Sequence, residues 1–351
     1  MRIFLAAPDI FPGDAVGNHC LSIIRCARRL GWPAQAYAER YSGEVRSIEA
    51  LFNDFRTNDI LIVSYSIYDP HLDRLLALKG PKLCYFHGVT PANLLVDFEP
   101  ATAELCYRSI SQYPQFKKFN TIIANSKSTA KTLSEYFPIE SIKIIPPVFA
   151  DMPIFGYNPI RIKKTTKEIR LLVVGRVVPH KCLEDAIEIL GLLRHQYEVD
   201  ARLCIVGNES NNTYSKHLRQ IAQSLDIEDF IEFRGMVSDD DLLGFYLGST
   251  AFLSVSRHEG FCIPVLEAMH LGLPVFVKVG TAACEVCSSA GVAFTDVRQA
   301  AIFIHQVTSD PCRMAKHKES GKSRSAELLG MAKDKEWERI FCSLNLNRIT
   351  N

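Results

Sequence analysis

TAFLSVSRHEGFCIPVLEAM, residues Thr250 to Met269, runs a largely apolar segment into a junction marked by Gly260 and Pro264 and sets two carboxylates, Glu259 and Glu267, on either side of it. Ala251 to Val255 reads as a buried strand and Glu259 as part of the loop that leaves it. Pro264 opens a helix whose first turns carry Glu267, because proline is tolerated at the start of a helix. The backbone N–H groups of Gly260, Phe261, Cys262 and Ile263 are then left to point at an anion, and a nucleotide diphosphate fits such a place. Glu259 lies close to that turn. Glu267, at least one helical turn further on, reaches a group about 5 Å along the axis. Two carboxylates flanking a diphosphate suit sugar and ribose hydroxyls.

Outward from that junction the chain repeats one rhythm. In the first half, short apolar runs (Ile3 to Ala6, Ile60 to Val63, Leu83 to Phe86, Thr121 to Ala124) alternate with amphipathic segments (Cys20 to Leu30, Leu72 to Leu78, a helix from about Ser126). Alternation of this kind predicts a parallel sheet covered by helices, and strands that are apolar throughout predict burial on both faces. Residues 1–150 form this first, doubly wound domain. Residues 151–168, with Pro153, Gly156, Pro159 and Lys163-Lys164, read as a linker. The rhythm restarts with Ile169 to Val174, a helix from about Leu183 to Gln196, Ala201 to Val206 and a helix from Tyr214 to Leu225, so residues 169–330 form a second domain. Met331 to Leu346 reads as a last helix within 331–351. The expected fold is α/β, with two Rossmann-like domains facing each other and ligands in the cleft beyond the carboxyl ends of their strands.

The bulk properties exclude several classes. With 351 residues, 47% hydrophobic content and a formal net charge of +1, the chain supports two cores and offers no basic field for nucleic acid. No run approaches a transmembrane span, and Pro8 and Asp9 stop the apolar start, so the expected place is the cytoplasm. The eleven cysteines are scattered through apolar segments, as reduced thiols are. Cys284-Glu285-Val286-Cys287 has metal or redox spacing but no second pair, and reads as packing.

The Glu, seven residues, Glu pattern with its Glu-Gly-Phe-x-x-Pro core resembles the signature of retaining glycosyltransferases of the GT-B fold, the group 1 (family 4-like) type that includes bacterial polysaccharide enzymes. The resemblance extends to Gly175-Arg176 through Lys181, to Arg234-Gly235-Met236-Val237-Ser238, to Leu273-Pro274-Val275, and with the N-terminal glycine-containing loop and His87 covers nearly the whole chain. Cys262 departs from it, standing where the family usually has glycine. The resemblance implies that Glu259 holds a hydroxyl of the donor sugar, that Glu267 holds the ribose hydroxyls, that Gly235 and Val237 bind the base and that His87 reaches the donor sugar. It also implies a last helix that crosses back to the N-terminal domain.

Arg176 and Lys181, five positions apart in a loop, bring a guanidinium and an ammonium onto one diphosphate and stabilise charge that grows on the leaving group. Two solvated surface cations are the plain alternative. An exposed helix residue is the alternative for Glu267, and a carboxylate favoured by the helix dipole for Glu259. Gly13 to Asn18 opens a helix where Gly17 can approach a phosphate or an acceptor; the three-glycine dinucleotide spacing fails, and Glu39 has no clear strand end before it. His87 at a strand end is also compatible with a core residue, and Asn125-Ser126 reads as a helix cap. Asp239-Asp240-Asp241 after Ser238 reads as a capping box in preference to a metal site. Arg25, Arg28 and Arg29 suit an anionic membrane or a solvated helix face.

The sequence therefore predicts a metal-independent hexosyltransferase without a resident cofactor, its co-substrate a GDP- or UDP-hexose and its acceptor a glycan or lipid-linked glycan, with peripheral contact to the inner membrane face left open beside a solvated helix face. Its expected catalytic residues are Glu259, His87, Arg176 and Lys181. A GT-B nucleotide-sugar epimerase and a catalytically silent subunit of a glycan-assembly complex are the competing readings. The first gives no reason for the Glu259/Glu267 pair, and the second would tolerate loss of residues that are present.

Overall fold

A computed structural model describes residues 1–157, 168–331 and 334–346. The linker expected at 151–168 falls partly outside these residues, as do Lys163-Lys164 and two positions of the last predicted helix. The chain divides into two compact units, Met1–Ala92 with Ala101–Asp151 and Leu329–Asn351, and Asn93–Pro100 with Met152–Leu328.

The first unit runs β1 (Ile3–Ile10), α1 (Ala15–Arg29), β2 (Ala34–Tyr41), β3 (Arg46–Ser47), α2 (Ile48–Asp54), β4 (Ile60–Tyr65), α3 (Leu72–Ala77), β5 (Lys82–Phe86), α4 (Pro100–Ser109), β6 (Thr121–Ala124), α5 (Lys127–Lys131) and β7 (Ile142–Ile144). Its seven-stranded sheet has the order β3-β2-β1-β4-β5-β6-β7, every pair parallel. All six residues of β4 are buried, which matches an apolar run covered on both faces. The strand β2 was not legible before Glu39. AQAYAERY mixes small and charged residues and buries only Ala36, Tyr37 and Ala38 fully, so it lacks the apolar run that marks its neighbours, and Glu39 lies inside it.

The second unit runs β8 (Ile169–Val174), α6 (Leu183–His195), β9 (Ala201–Val206), α7 (Asn212–Ser224), β10 (Ile231–Phe233), α8 (Asp239–Gly248), β11 (Ala251–Ser254), α9 (Ile263–His270), β12 (Val275–Lys278), α10 (Ala282–Cys287), β13 (Val292–Phe294), α11 (Val297–Thr308) and α12 (Pro311–Met331). Its sheet is also parallel, in the order β10-β9-β8-β11-β12-β13. Asn93–Pro100 belongs to this unit, with Phe98 edge-on to Tyr214 at 5.1 Å and its carbonyl accepting from Asn211 Nδ2 at 3.2 Å.

In each sheet the chain winds outward on one side and then returns to the middle to wind outward on the other. The strand order thus reverses between β1 and β4, and between β8 and β11. At such a switch point the loops leaving two neighbouring strands diverge and open a crevice at their carboxyl ends. The last helix, α13 (Asp334–Leu346), places Trp337, Ile340, Phe341 and Leu344 in the core of the first unit. Among the described residues no helix is long and apolar enough to cross a membrane.

Candidate active site

At the switch point of the second unit the loop after β8 meets the loop after β11. Gly175 follows β8 with φ +151°, and its N–H donates to Val206 O at 2.9 Å, while Gly207 donates to Gly235 O at 2.9 Å and Val177 to Asn208 O at 2.9 Å. These bonds stitch the carboxyl ends of three adjacent strands together. A Cβ on Gly207 would lie 1.9 Å from Gly175 O, so the close approach itself requires glycine there. Gly207 was missed in the sequence, although β8 and β9 both end in Val-Gly and the repeat was a usable signal.

The stitched loop carries Lys181 back over Gly175, where Lys181 Nζ lies 2.7 Å from Glu259 Oε1. This ion pair is largely enclosed, with side-chain exposures of 19% and 9%. Burial pushes the Glu259 carboxyl up, but Lys181, a hydrogen bond from Ser256 and His258 outweigh it and hold the group below the usual carboxylate value. Arg176 is exposed on the same loop, and Gly175, Arg176, Lys181, Ser256, Glu259 and Cys262 line one small cavity. Beside it His180 is buried with Nδ1 unbonded among the described residues. Burial first, and then Lys181 and Arg176, push its imidazole down to about 2, so it is neutral there.

Cys262 caps α9 in the left-handed region, φ +72° and ψ +65°, and no side-chain hydrogen bond caps this helix. By contrast Asp14, Ser126, Asn211, Ser238 and Asp296 cap α1, α5, α7, α8 and α11. An uncapped helix start beside a lysine is a place for an anion. Pro264 lies in the first turn, where its missing N–H is harmless. A Cβ in this backbone region is strained, and glycine would be free of that strain. The Sγ of Cys262 packs 3.9 Å from Ser254 Oγ.

Glu267 faces a different neighbour. Tyr246 Oη donates to its Oε2 at 2.6 Å and lies 3.4 Å from Pro264 O. Burial raises the Glu267 carboxyl to about 7, opposed by the tyrosine and assisted by Asp239. Gly235, φ +63°, and the partly buried Val237 flank the exposed Met236 beyond β10. Ser238 Oγ accepts from Asp241 N at 3.1 Å, which caps α8, and donates to Asp241 Oδ2 at 2.7 Å, so the carboxylate meets the cap hydroxyl and not the cap N–H that a full capping box would use. The Cys284 thiol donates to Lys278 O at 3.2 Å and Cys287 is buried beside Gly291, which gives that pair a packing role.

The site residues expected in the first unit fare differently. His87 ends β5, is 8% exposed and has Nε2 2.9 Å from Ser64 Oγ. Gly17 is buried, its N–H is taken by Asp14 Oδ2 at 3.2 Å, and a Cβ would lie 2.2 Å from Phe11 O, so this glycine serves a close backbone approach. Arg25 and Arg29 both pair with Asp151, at 3.2 and 2.6 Å, and Arg29 pairs with Asp334 at 2.8 Å, so these two cations tie α1 to its own unit while their side chains stay exposed.

Residues 158–324 match the family described as glycosyl transferases group 1. The chain is 28% identical over 176 residues to mannosylfructose-phosphate synthase of Agrobacterium fabrum, covering 47% of this chain and 38% of that protein. It is 25% identical over 201 residues to the serotype-specific mannosyltransferase WbdA of Escherichia coli, covering 54% of this chain and 24% of that protein. The matched region thus spans less than two fifths of either relative. The crystal structure of Anabaena Alr3699/HepE in complex with UDP and glucose superimposes with a TM-score of 0.73 at 15% identity, over 98% of this chain and 100% of that one. A likeness at that identity shows the fold, two parallel-sheet Rossmann-like domains of the GT-B type.

Proposed function

We propose that this chain, a member of the glycosyl transferases group 1 through residues 158–324, is a retaining, metal-independent hexosyltransferase. It takes a mannose- or glucose-type hexose from a GDP- or UDP-sugar and moves it to a hydroxyl of a glycan or lipid-linked glycan in surface polysaccharide synthesis. Cytoplasmic action belongs to the same reading.

The observation that carries it is the enclosed Lys181–Glu259 pair beside the uncapped start of α9. As the bond from sugar to phosphate breaks, negative charge moves onto the diphosphate. Lys181, Arg176 and the helix N-terminus stabilise that charge more in the transition state than in the ground state. Glu259, held ionised, accepts hydrogen bonds from hydroxyls of the donor sugar, and Glu267 meets the ribose. With this much fixed positive charge the leaving group needs no divalent ion. Among the described residues no carboxylate in the site stands as an evident nucleophile, which supports attack from the face the phosphate leaves, the phosphate taking the acceptor's proton. Two relatives whose names refer to mannosyl transfer favour a mannose donor, and the neighbour solved with UDP and glucose keeps uridine in the comparison.

The test is a thermal-shift and donor-hydrolysis panel of UDP- and GDP-hexoses in EDTA, on the native protein and on an Arg176→Ala, Lys181→Ala double variant. One donor is expected to stabilise the native protein and to be slowly hydrolysed, with both effects lost in the variant. Silence towards every nucleotide sugar, or activity that returns only with a divalent ion, overturns the reading.

A further inference from the structure

Three fully or nearly buried polar side chains in the first unit form a chain of hydrogen bonds. Cys20 Sγ, on α1, lies 3.1 Å from Ser64 Oγ on β4, and Ser64 Oγ lies 2.9 Å from Nε2 of His87 at the end of β5. Cys20 and Ser64 are 0% exposed. The imidazole is also held by rings, with Tyr85 at 4.9 Å and His19 edge-on at 5.3 Å. Both nitrogens of His19 are sealed in without a hydrogen-bond partner among the described residues, so His19 packs against His87 and does not bond to it. Nδ1 of His87 carries no hydrogen bond among the described residues and is not one of the sealed-in polar atoms.

The direction of the chain follows from the strengths of its groups. A serine has one proton to give. If Ser64 gives it to His87, the oxygen of Ser64 accepts the Cys20 S–H, and every donor has an acceptor, the best acceptor, a neutral imidazole nitrogen, at the end. In the reverse direction the strong O–H donor of Ser64 falls on sulfur, a weak acceptor, and the buried S–H has no partner. Burial pushes the thiol up to about 12 and the imidazole down to about 4, so both groups keep their neutral forms near pH 7 and no charge disturbs the chain.

We propose that Ser64, backed by Cys20, is a positioning residue that fixes His87 as its Nδ1–H tautomer and presents that N–H as a hydrogen-bond donor. Resting on the proposed transferase reading, joined to the family resemblance that has His87 reach the donor sugar, this means that His87 donates to a sugar oxygen and does not act as a base at that nitrogen.

The experiment uses the full chain labelled with 15N-histidine, with two-bond 1H–15N spectra at pH 7.5 and the His87 signals assigned by their loss in His87→Gln. The expected native pattern is a protonated Nδ1 and a bare Nε2. In Ser64→Ala, a smaller side chain in the same strand, the pattern moves towards Nε2–H, and kcat/KM for the responding donor falls roughly fivefold, the worth of one neutral hydrogen bond. Cys20→Ser, which keeps a donor behind Ser64, retains the native pattern. A native Nε2–H tautomer, an unchanged pattern in Ser64→Ala, or a changed pattern with unchanged kcat/KM overturns the proposal. Adding UDP- or GDP-hexose separates the two readings. If no donor moves the His87 signals, its place in the transfer falls while the tautomer assignment stands or fails by itself.

Discussion

The charge state of each carboxylate near α9 is set by what faces it, and the two answer pH in opposite senses. Glu259 has a folded value below its ordinary one because Lys181 outweighs burial. Its contribution to stability is therefore present above the unfolded carboxyl value of about 4.3 and is lost as pH falls through the folded value. In Lys181→Met the two leading causes that oppose burial are gone and only Ser256 and His258 remain against it, the carboxyl rises, and a charge without its cation is enclosed at neutral pH. That variant is expected to lose about 3 kcal/mol at pH 7 and about a hundredfold or more in turnover. Melting curves from pH 4 to 8 check this, since the gap between native protein and variant should widen with pH. A gap constant across that range would remove the ion pair from the account. Glu267 is the mirror case, raised to about 7 by burial. The native state then holds its proton more tightly than the unfolded state, so stability from this group declines as pH rises from about 4.3 to about 7 and is level above. Glu267→Gln keeps an acceptor for Tyr246 and removes that decline. The variant should gain on the order of 2 kcal/mol over the native protein at pH 8 while its nucleotide affinity drops about tenfold. Parallel melting profiles for the two proteins would sink the assignment of a raised carboxyl.

Between strand and helix, the decisive element is the turn from β11 into α9, which puts a cysteine in a backbone region suited to glycine. A left-handed residue with a Cβ costs roughly 1 kcal/mol or more, and a β-branched side chain costs more again. Cys262→Gly relieves that strain and gives up the packing of a small buried thiol, so its melting temperature should match or exceed the native one with donor turnover kept. Cys262→Val should lose about 2 kcal/mol or more and reduce turnover with it. Denaturant midpoints of the two variants decide the matter, and a Val variant as stable as the Gly variant would contradict the turn geometry. Elements of this kind set the limit of what the sequence discloses. Apolar runs such as Ile60 to Val63 and Leu83 to Phe86 announced buried strands because a strand covered on both faces has no room for polar alternation. Glu259, Glu267, Arg176 and Lys181 could be picked out because a recurring spacing marks them, and Gly235 with Val237 likewise. Tyr246, the partner that fixes the chemistry of Glu267, comes from another helix and no local pattern records it, while Ser256 stands three residues before Glu259 and only the folded loop turns its hydroxyl onto the carboxylate. Gly17 shows the same limit, since a glycine needed for approach to Phe11 O looks in sequence like one needed for approach to a phosphate.

At the scale of the whole chain, the last helix completes a core that begins at residue 3. Trp337 is 2% exposed, lies 5.8 Å from Tyr85 in a stacked arrangement and shares a buried cluster with Ile3, Leu5, Ile23 and Ile62. Tyr85 in turn flanks His87, and its hydroxyl donates to Ile145 O at 2.7 Å, so the C-terminal helix supports the ring that holds the proposed site histidine. The second unit has a separate core built on β8, β9, α6 and α11, with Leu171, Leu190, Leu203 and Ile304 at 0% exposure, and Trp337 is no part of it. Trp337→Ala opens a large cavity in the first core only, at a cost of about 3–5 kcal/mol. Native-state hydrogen exchange resolves where that cost is felt. Amides of β1, β4 and β5 should lose protection by two orders of magnitude or more, while those of β8, β9 and α6 keep theirs to within about tenfold. If donor binding is lodged in the second unit, as the Lys181–Glu259 site implies, the same variant should still be stabilised by the responding nucleotide sugar while its transfer to an acceptor fails. Equal loss of protection in both sheets would mean that the two cores share one cooperative transition, and the last helix would then be a support for the whole chain and not for the first unit alone.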